Sequence, residues 1–187
     1  MSNSRTKDVF DLIHLDVWGP YRHTTHNGFR FFLTVVDDNS RVTWLFLLRH
    51  KSDVLAILKS FFVLVKTQFD KQIKRVRSDN GTEFFNNECK TLFTSLGIVH
   101  ESSCPHTPQQ NGVVERKHRH ILEVARALRF QGSIPIKFWG ECVLAAVYLI
   151  NRMPTSVLQG RSPYEVFHKT KPQLDHLRTI ECLCYAT

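Results

Sequence analysis

The chain contains no hydrophobic run able to span a bilayer. Its longest uncharged apolar stretch, Cys142–Ile150, is nine residues long, against the roughly 18 that a membrane helix needs. Met1–Lys7 is polar and has no apolar core of the signal-peptide kind. The five cysteines (Cys89, Cys104, Cys142, Cys182 and Cys184) are an odd number and include no Cys-x-x-Cys pair. Cys182-Leu183-Cys184 has the wrong spacing for a zinc knuckle, and the ten histidines supply no matching His-x₃₋₅-His partner. Neither a disulfide framework nor a zinc site is expected; the cysteines read as reduced, mostly buried small apolar residues of an intracellular protein. Internal repeats and low-complexity tracts are also missing, which excludes solenoid and linker-type architectures. Acidic residues are the scarcer charge: 17 Asp and Glu against 25 Lys and Arg, a net charge of +8.

What is present suits one soluble domain. At 187 residues a single domain can bury roughly 70% of its unfolded surface. Fourteen phenylalanines and three tryptophans supply apolar volume for that core, with Trp44 and Trp139 read as core residues. The basic balance favours a polyanionic partner. Alternating or apolar runs predict strands over Asp11–Val17, Phe29–Val36, Val42–Leu48, Ile73–Arg77 and Ile98–Glu101. Helical spacing of Val54, Leu58, Phe61, Phe62, Val65 and Phe69 predicts a helix capped by Ser52. Further helices are predicted over Phe84–Leu96, Val113–Phe130 and Ile136–Asn151, and a short one after Ser162-Pro163. The order β-β-β-α-β-α-β-α-α suits a mixed five-stranded sheet with helices on both faces.

Three acids stand where such elements begin or end. Asp16 closes an apolar strand, Asp79 follows a short strand, and Glu115 opens a long amphipathic helix. Each has an ordinary explanation: a strand-end carboxylate, an Asp-Asn-Gly turn former, and a first-turn acid favoured by the helix dipole. Together they have the distribution of a two-metal phosphoryl-transfer site, in which carboxylates from several elements converge and one is shared. Residues 80 through 114, 35 positions, separate Asp79 from Glu115.

The segments IHLDVWGP (13–20), VVDDNSRVTWLFLL (35–48), RVRSDNGTEF (75–84) and PHTPQQNGVVERKHRHILEVAR (105–126) resemble the catalytic core of copia-type retrotransposon integrases. That core belongs to the retroviral integrase superfamily, whose D, D(35)E triad sits on a ribonuclease H-like fold. The resemblance runs from about Val9 to the end of the chain. It implies that Asp16, Asp79 and Glu115 are catalytic and hold two Mg²⁺ (or Mn²⁺) ions, Asp16 being shared. It implies 3′-end processing and strand transfer on retrotransposon DNA, action in the nucleus, and a homodimer or higher oligomer. It also implies DNA contacts by Arg116 and Arg119 and by the loop residues Gln109, Gln110 and Asn111. For Lys117 a solvated polar face is expected, and for Asp37 and Asp38 a hairpin turn with Arg41 rather than a metal site.

The expected organisation is a polar tail over 1–8, the catalytic core over 9–170, and a C-terminal extension over 171–187 that is truncated relative to the family. Glu181 in Ile180-Glu181-Cys182 stands where relatives have a small glycine. Two other functions compete: a catalytically inactive, transposon-derived nucleic-acid-binding module, and a ribonuclease H acting on hybrids. The QQNGVVER segment argues against the second.

Overall fold

The computed structural model describes residues 5–102 and 112–178. Five strands form one sheet: β1 (Leu12–Trp18), β2 (Phe31–Asp37), β3 (Thr43–Leu48), β4 (Arg75–Ser78) and β5 (Val99–Ser102). Their spatial order is β3-β2-β1-β4-β5. β1, β2 and β3 pair antiparallel as a meander, whereas β4 and β5 add in parallel to β1. The parallel pairs require crossovers, which two helices supply: α1 (Val54–Phe69) before β4 and α2 (Asn87–Ser95) before β5. After β5 come α3 (Gly112–Gln131), α4 (Trp139–Arg152) and the short α5 (Pro163–His168).

The period of two along β1 divides the interior. Ile13, Leu15 and Val17 point toward α1 and α2, where they meet Leu58, Phe61 and Val65 in one apolar cluster. The opposite face carries His14, Asp16 and Trp18. There Phe32 of β2 and Leu45 of β3 pack with Ile121 of α3 and with Trp139, Val143 and Ala146 of α4. A sheet with helices on both faces is therefore realised, and the face shared with α3 is the one that bears polar residues. Trp139 is buried; Trp44 packs half-buried against the α1 cluster.

Element ends differ from the sequence reading where side chains take over capping. Ser52 does not cap α1. Lys51–Asp53 form a 3₁₀ turn instead, and the Asp53 carboxylate accepts from the backbone N–H of Arg49 and His50 at 3.1 and 2.9 Å. α2 starts at Asn87, not Phe84, because the Asn86 side chain accepts from Cys89 N–H at 2.8 Å. Pro135 precedes a 3₁₀ turn, Ile136–Phe138, and α4 proper begins at Trp139. Ser162 caps α5, with Pro163 at its first position as expected. Gly19 ends β1 with φ +123°, and a Cβ there would lie 2.7 Å from the Arg30 carbonyl oxygen. No larger residue fits that turn without displacing backbone.

α4 is fastened to the outer strand by one amide. Asn151 Nδ2 donates to the Thr43 carbonyl at 2.8 Å, and Asn151 Oδ1 accepts from Thr43 N–H at 2.9 Å. Removing it leaves both backbone groups of a buried residue unpaired. We expect Asn151→Ala to lose about 1–3 kcal/mol of unfolding free energy in urea denaturation; an unchanged midpoint would show that the amide bears no load.

Candidate active site

The parallel register of β1 and β4 brings the first two acids together. Leu15 is opposite Ser78 in the ladder, so the next residues, Asp16 and Asp79, lie side by side at the carboxyl ends of the two strands. Ligand sites of open α/β sheets form at that end. Asp16 still belongs to β1, where it is opposite Thr34 of β2. Asp79 also serves as the turn former that its sequence context suggested: Oδ1 accepts from Gly81 N–H at 3.1 Å.

Glu115 lies in the first turn of α3 and is exposed. One turn further, His118 anchors the helix to the sheet. Its Nε2 is 2.9 Å from Thr34 Oγ1 and its Nδ1 is 3.4 Å from Asp16 Oδ2. Burial pushes the His118 imidazole down to about 4, so near neutral pH it is an uncharged ring, able to donate one hydrogen bond and accept another. The sequence reading overlooked His118. The signal was present, since Val114, His118, Ile121 and Ala125 form the buried stripe of α3, and a histidine on such a stripe needs polar partners.

Asp16 is electrostatically stressed. Burial, followed by the charge of Asp79 and then by those of Glu115 and Glu83, raises its carboxyl to about 7, against a hydrogen bond from the Val17 N–H. Asp79 and Glu115 thus lie near enough for their charges to be felt at Asp16. Glu83 is an acid the sequence reading did not single out; Lys51 Nζ pairs with it at 2.8 Å. Among the described residues, no three His, Cys, Asp or Glu side chains close into a group that could by itself hold a metal ion.

Arg116 and Arg119 are both exposed on α3, and Arg119 follows Glu115 by one turn on the same side. Gln109, Gln110 and Asn111 lie outside the described residues. Lys117 departs from expectation. It is half-buried rather than solvated, and burial together with the nearby Arg41 guanidinium lowers its ammonium to about 8.

A second polar network lies two residues before Asp16 on the same face. His14, fully buried, sits 2.9 Å from Asp38 Oδ1, and Arg41 Nη1 lies 3.3 Å from the same oxygen. Burial opposes ionisation of Asp38, yet the His14 hydrogen bond, the Thr6 N–H and the Arg41 charge hold its carboxyl well below the usual range. Asp37 caps the hairpin, accepting from Phe10 N–H, Ser40 N–H and Ser40 Oγ–H at 2.7 Å each. Both acids are thus engaged in holding the β2–β3 turn. A separate shallow cavity of about 440 Å³ between α1 and α2, lined by Leu55, Lys59 and Glu88 among others, contains none of the three acids.

The stress on Asp16 sets a pH test on metal-free protein. Folding raises this carboxyl from 3.8 to about 7, so across that interval the folded state holds a proton that the unfolded chain releases. The stabilisation from Asp16 therefore declines as pH rises from about 4 to about 7. Asp16→Asn should gain in melting temperature over wild type through that window and hold a constant advantage above it. A difference independent of pH would mean that Asp16 ionises freely in the fold.

The family described as "Integrase core domain" matches residues 7–108, a span that includes Asp16 and Asp79. The Pol polyprotein of transposon TNT 1-94 from Nicotiana tabacum is 37% identical over 185 residues, 99% of this chain and 14% of that polyprotein. The Pol polyprotein of transposon RE1 from Arabidopsis thaliana is 41% identical over 175 residues, 94% of this chain and 12% of the relative. The chain thus spans about one seventh or less of the curated relatives it matches. Among solved structures, the catalytic core domain of BIV integrase superposes with TM-score 0.62 at 23% identity, covering 85% of this chain and 94% of the other. A chain of the simian T-cell lymphotropic virus intasome in complex with PP2A regulatory subunit B56 gamma superposes with TM-score 0.71 at 16% identity, covering 98% of this chain and 63% of the other. At such identities the likeness concerns the fold, which is the ribonuclease H-like fold of integrase catalytic cores. With the family match and the plant relatives taken together, the chain belongs to the integrase core domain family and is a copia-type retrotransposon integrase core.

Proposed function

We propose that this chain carries out metal-dependent polynucleotidyl transfer on DNA, with Asp16, Asp79 and Glu115 as its catalytic carboxylates. The observation that carries the reading is the mutual placement of the acids. Asp16 of β1 stands beside Asp79, the first residue past the parallel strand β4, and the Glu115 charge is felt at Asp16 from the start of α3. Carboxylate oxygens are hard ligands that suit Mg²⁺ or Mn²⁺. Burial first, and then repulsion from Asp79, Glu115 and Glu83, raises the Asp16 carboxyl; bound cations would relieve the repulsion. Asp16 with Asp79 would hold one ion and Asp16 with Glu115 the other. Two such ions supply a lowered proton affinity at the attacking oxygen and charge neutralisation at the departing one.

The protein's own part is positional. Asp16 is fixed by β1 and by the His118 ring, which leaves one carboxylate edge engaged with α3. Arg116 and Arg119 would bind phosphates and set the strand's register. Gln109, Gln110 and Asn111 would contact the DNA near the scissile phosphate. In end processing a water oxygen forms the new P–O bond and the strand's 3′ oxygen leaves; in strand transfer the freed 3′ hydroxyl oxygen forms a P–O bond to a target phosphate, and the target strand's own 3′ oxygen leaves. Neither step needs a covalent protein intermediate. Assembly into a homodimer or larger complex, and action in the nucleus, follow from the same reading.

A second reading rests on one observation: the described residues hold no preformed three-ligand metal group. It makes the chain a DNA-binding module without catalysis. Reaction of a branched, disintegration-type oligonucleotide with Mg²⁺ or Mn²⁺ separates the two. The catalytic reading predicts cutting and joining by wild type and a loss of at least about 100-fold in Asp79→Asn and Glu115→Gln, the scale expected when a transition-state charge partner is removed. Salt-sensitive DNA binding with wild-type turnover no better than either variant would establish the inert module.

A further inference from the structure

One cavity lies on the α3 face of the sheet, past the end of β1. It has a volume of about 130 Å³ and is lined by Trp18, Tyr21, Leu122, Arg126, Arg129 and Trp139 among others. The three aromatic rings form a cluster, with centroids 5.6 Å apart for Trp18 and Tyr21, 5.1 Å for Tyr21 and Trp139, and 6.3 Å for Trp18 and Trp139. They are held rigidly. Phe32 stacks on Trp18 at 5.1 Å and 19°, and Trp139 Nε1 donates to the His23 carbonyl at 2.9 Å. The Gly19 turn is what swings Tyr21 back beside Trp18, and Tyr21 N–H donates to Arg30 O at 2.7 Å.

The cavity is connected to the carboxylates by a helical stripe. Positions 115, 119, 122, 126 and 129 are spaced 4, 3, 4 and 3 residues apart and share one side of α3. Glu115 and Arg119 are at the acidic end; Leu122 enters the cavity; Arg126 and Arg129 stand at it. Among the described residues, Arg119, Arg126 and Arg129 take part in no ion pair. Glu115 to Arg126 spans about 16 Å of helix axis. At the duplex rise of 3.4 Å that distance is about five nucleotides, and fewer in an unstacked strand.

We infer that this cavity is a nucleobase subsite, which accepts one unstacked base of the DNA strand that passes the carboxylates, while Arg119, Arg126 and Arg129 hold the intervening phosphates. The inference rests on the DNA-joining reading above and adds to it a second point of grip within about five nucleotides of the scissile bond. Aromatic platforms rimmed by arginine suit a flat, apolar, hydrogen-bonding ring attached to an anionic backbone. An apolar side chain from a second protein would fill the space but leave those three guanidinium groups without anions, which is why the base is the occupant assigned.

The test uses the 187-residue chain carrying Asp79→Asn, so that DNA is bound and not consumed. Branched oligonucleotides carry a single abasic site, or a single 5-iodouracil, at each of the first six positions from the scissile phosphate. One abasic position should weaken binding about 5- to 150-fold, the equivalent of losing one stacked base, and 5-iodouracil at that position should cross-link to Trp18 or Tyr21. Leu122→Trp, which fills the cavity, and Arg126→Ala, an exposed change that leaves the core intact, should flatten the abasic profile. Tyr21→Phe should preserve it. Tight binding with a flat profile in the parent chain, or cross-links only outside the cavity, overturns the subsite and leaves the DNA-joining reading standing. Absence of any salt-sensitive DNA binding overturns both. Self-association that shields the cavity and is unaffected by DNA assigns it to a second copy and overturns the subsite.

Discussion

Asp16 occupies a position where its negative charge is unfavourable. It is largely buried between β2, β4 and α3, it stands beside Asp79 near the carboxyl end of β1, and the charges of Glu115 and Glu83 reach it as well. A fold tolerates such a group only when the surrounding structure over-determines its place. Here the β1–β4 ladder does so, because slipping the register by one residue would turn Ile13, Leu15 and Val17 out of the α1 cluster and onto the polar face. The packing of one side of the sheet thus fixes the electrostatics of the other. The proposed chemistry exploits that tension, since divalent cations are the natural partners of carboxylates that a parallel ladder sets side by side.

The two faces consequently have different tasks. The α1 side is almost wholly apolar and includes Phe10, Leu58, Phe61 and Phe93 in one buried cluster. The α3 side mixes apolar packing with buried polar pairs: His118 with Thr34 and Asp16, His14 with Asp38. Such pairs contribute less to stability than to a unique arrangement. α3 connects them to solvent. Its inner stripe carries His118, and its neighbouring outer stripe carries Glu115 and Arg119 toward Arg126 and Arg129. One helix therefore ties the carboxylates to the surface along which a DNA strand would run.

Much of this was legible in the sequence because periodicity reports burial directly. The five strands, the helix order and the segregation of α1 from α3 follow from apolar spacing, and each observed strand falls within one or two residues of its expected limits. Caps were less legible. Asp53 and Asn86 displace the expected helix starts because a side chain, rather than the apolar pattern, decides where the first free N–H groups are satisfied. Lys117 was misread for a related reason: spacing says which way a residue points and not how deeply the rest of the fold buries it or which charge, here that of Arg41, lies nearby. His118 carried the clearest missed signal, a polar residue within a buried stripe. The cavity at Trp18, Tyr21 and Trp139 joins residues as far as 125 positions apart, Trp18 and Val143, and no local pattern encodes such a meeting.

The central claim is that the carboxylates at 16, 79 and 115 form one cation-binding centre. Anomalous scattering from a crystal of this chain grown with Mn²⁺ tests it most directly. The account predicts strong density coordinated by Asp16 and Asp79 together, with a second peak about 3.5–4 Å away reached by Glu115. Manganese bound elsewhere, with the three carboxylates empty and directed apart, would contradict it.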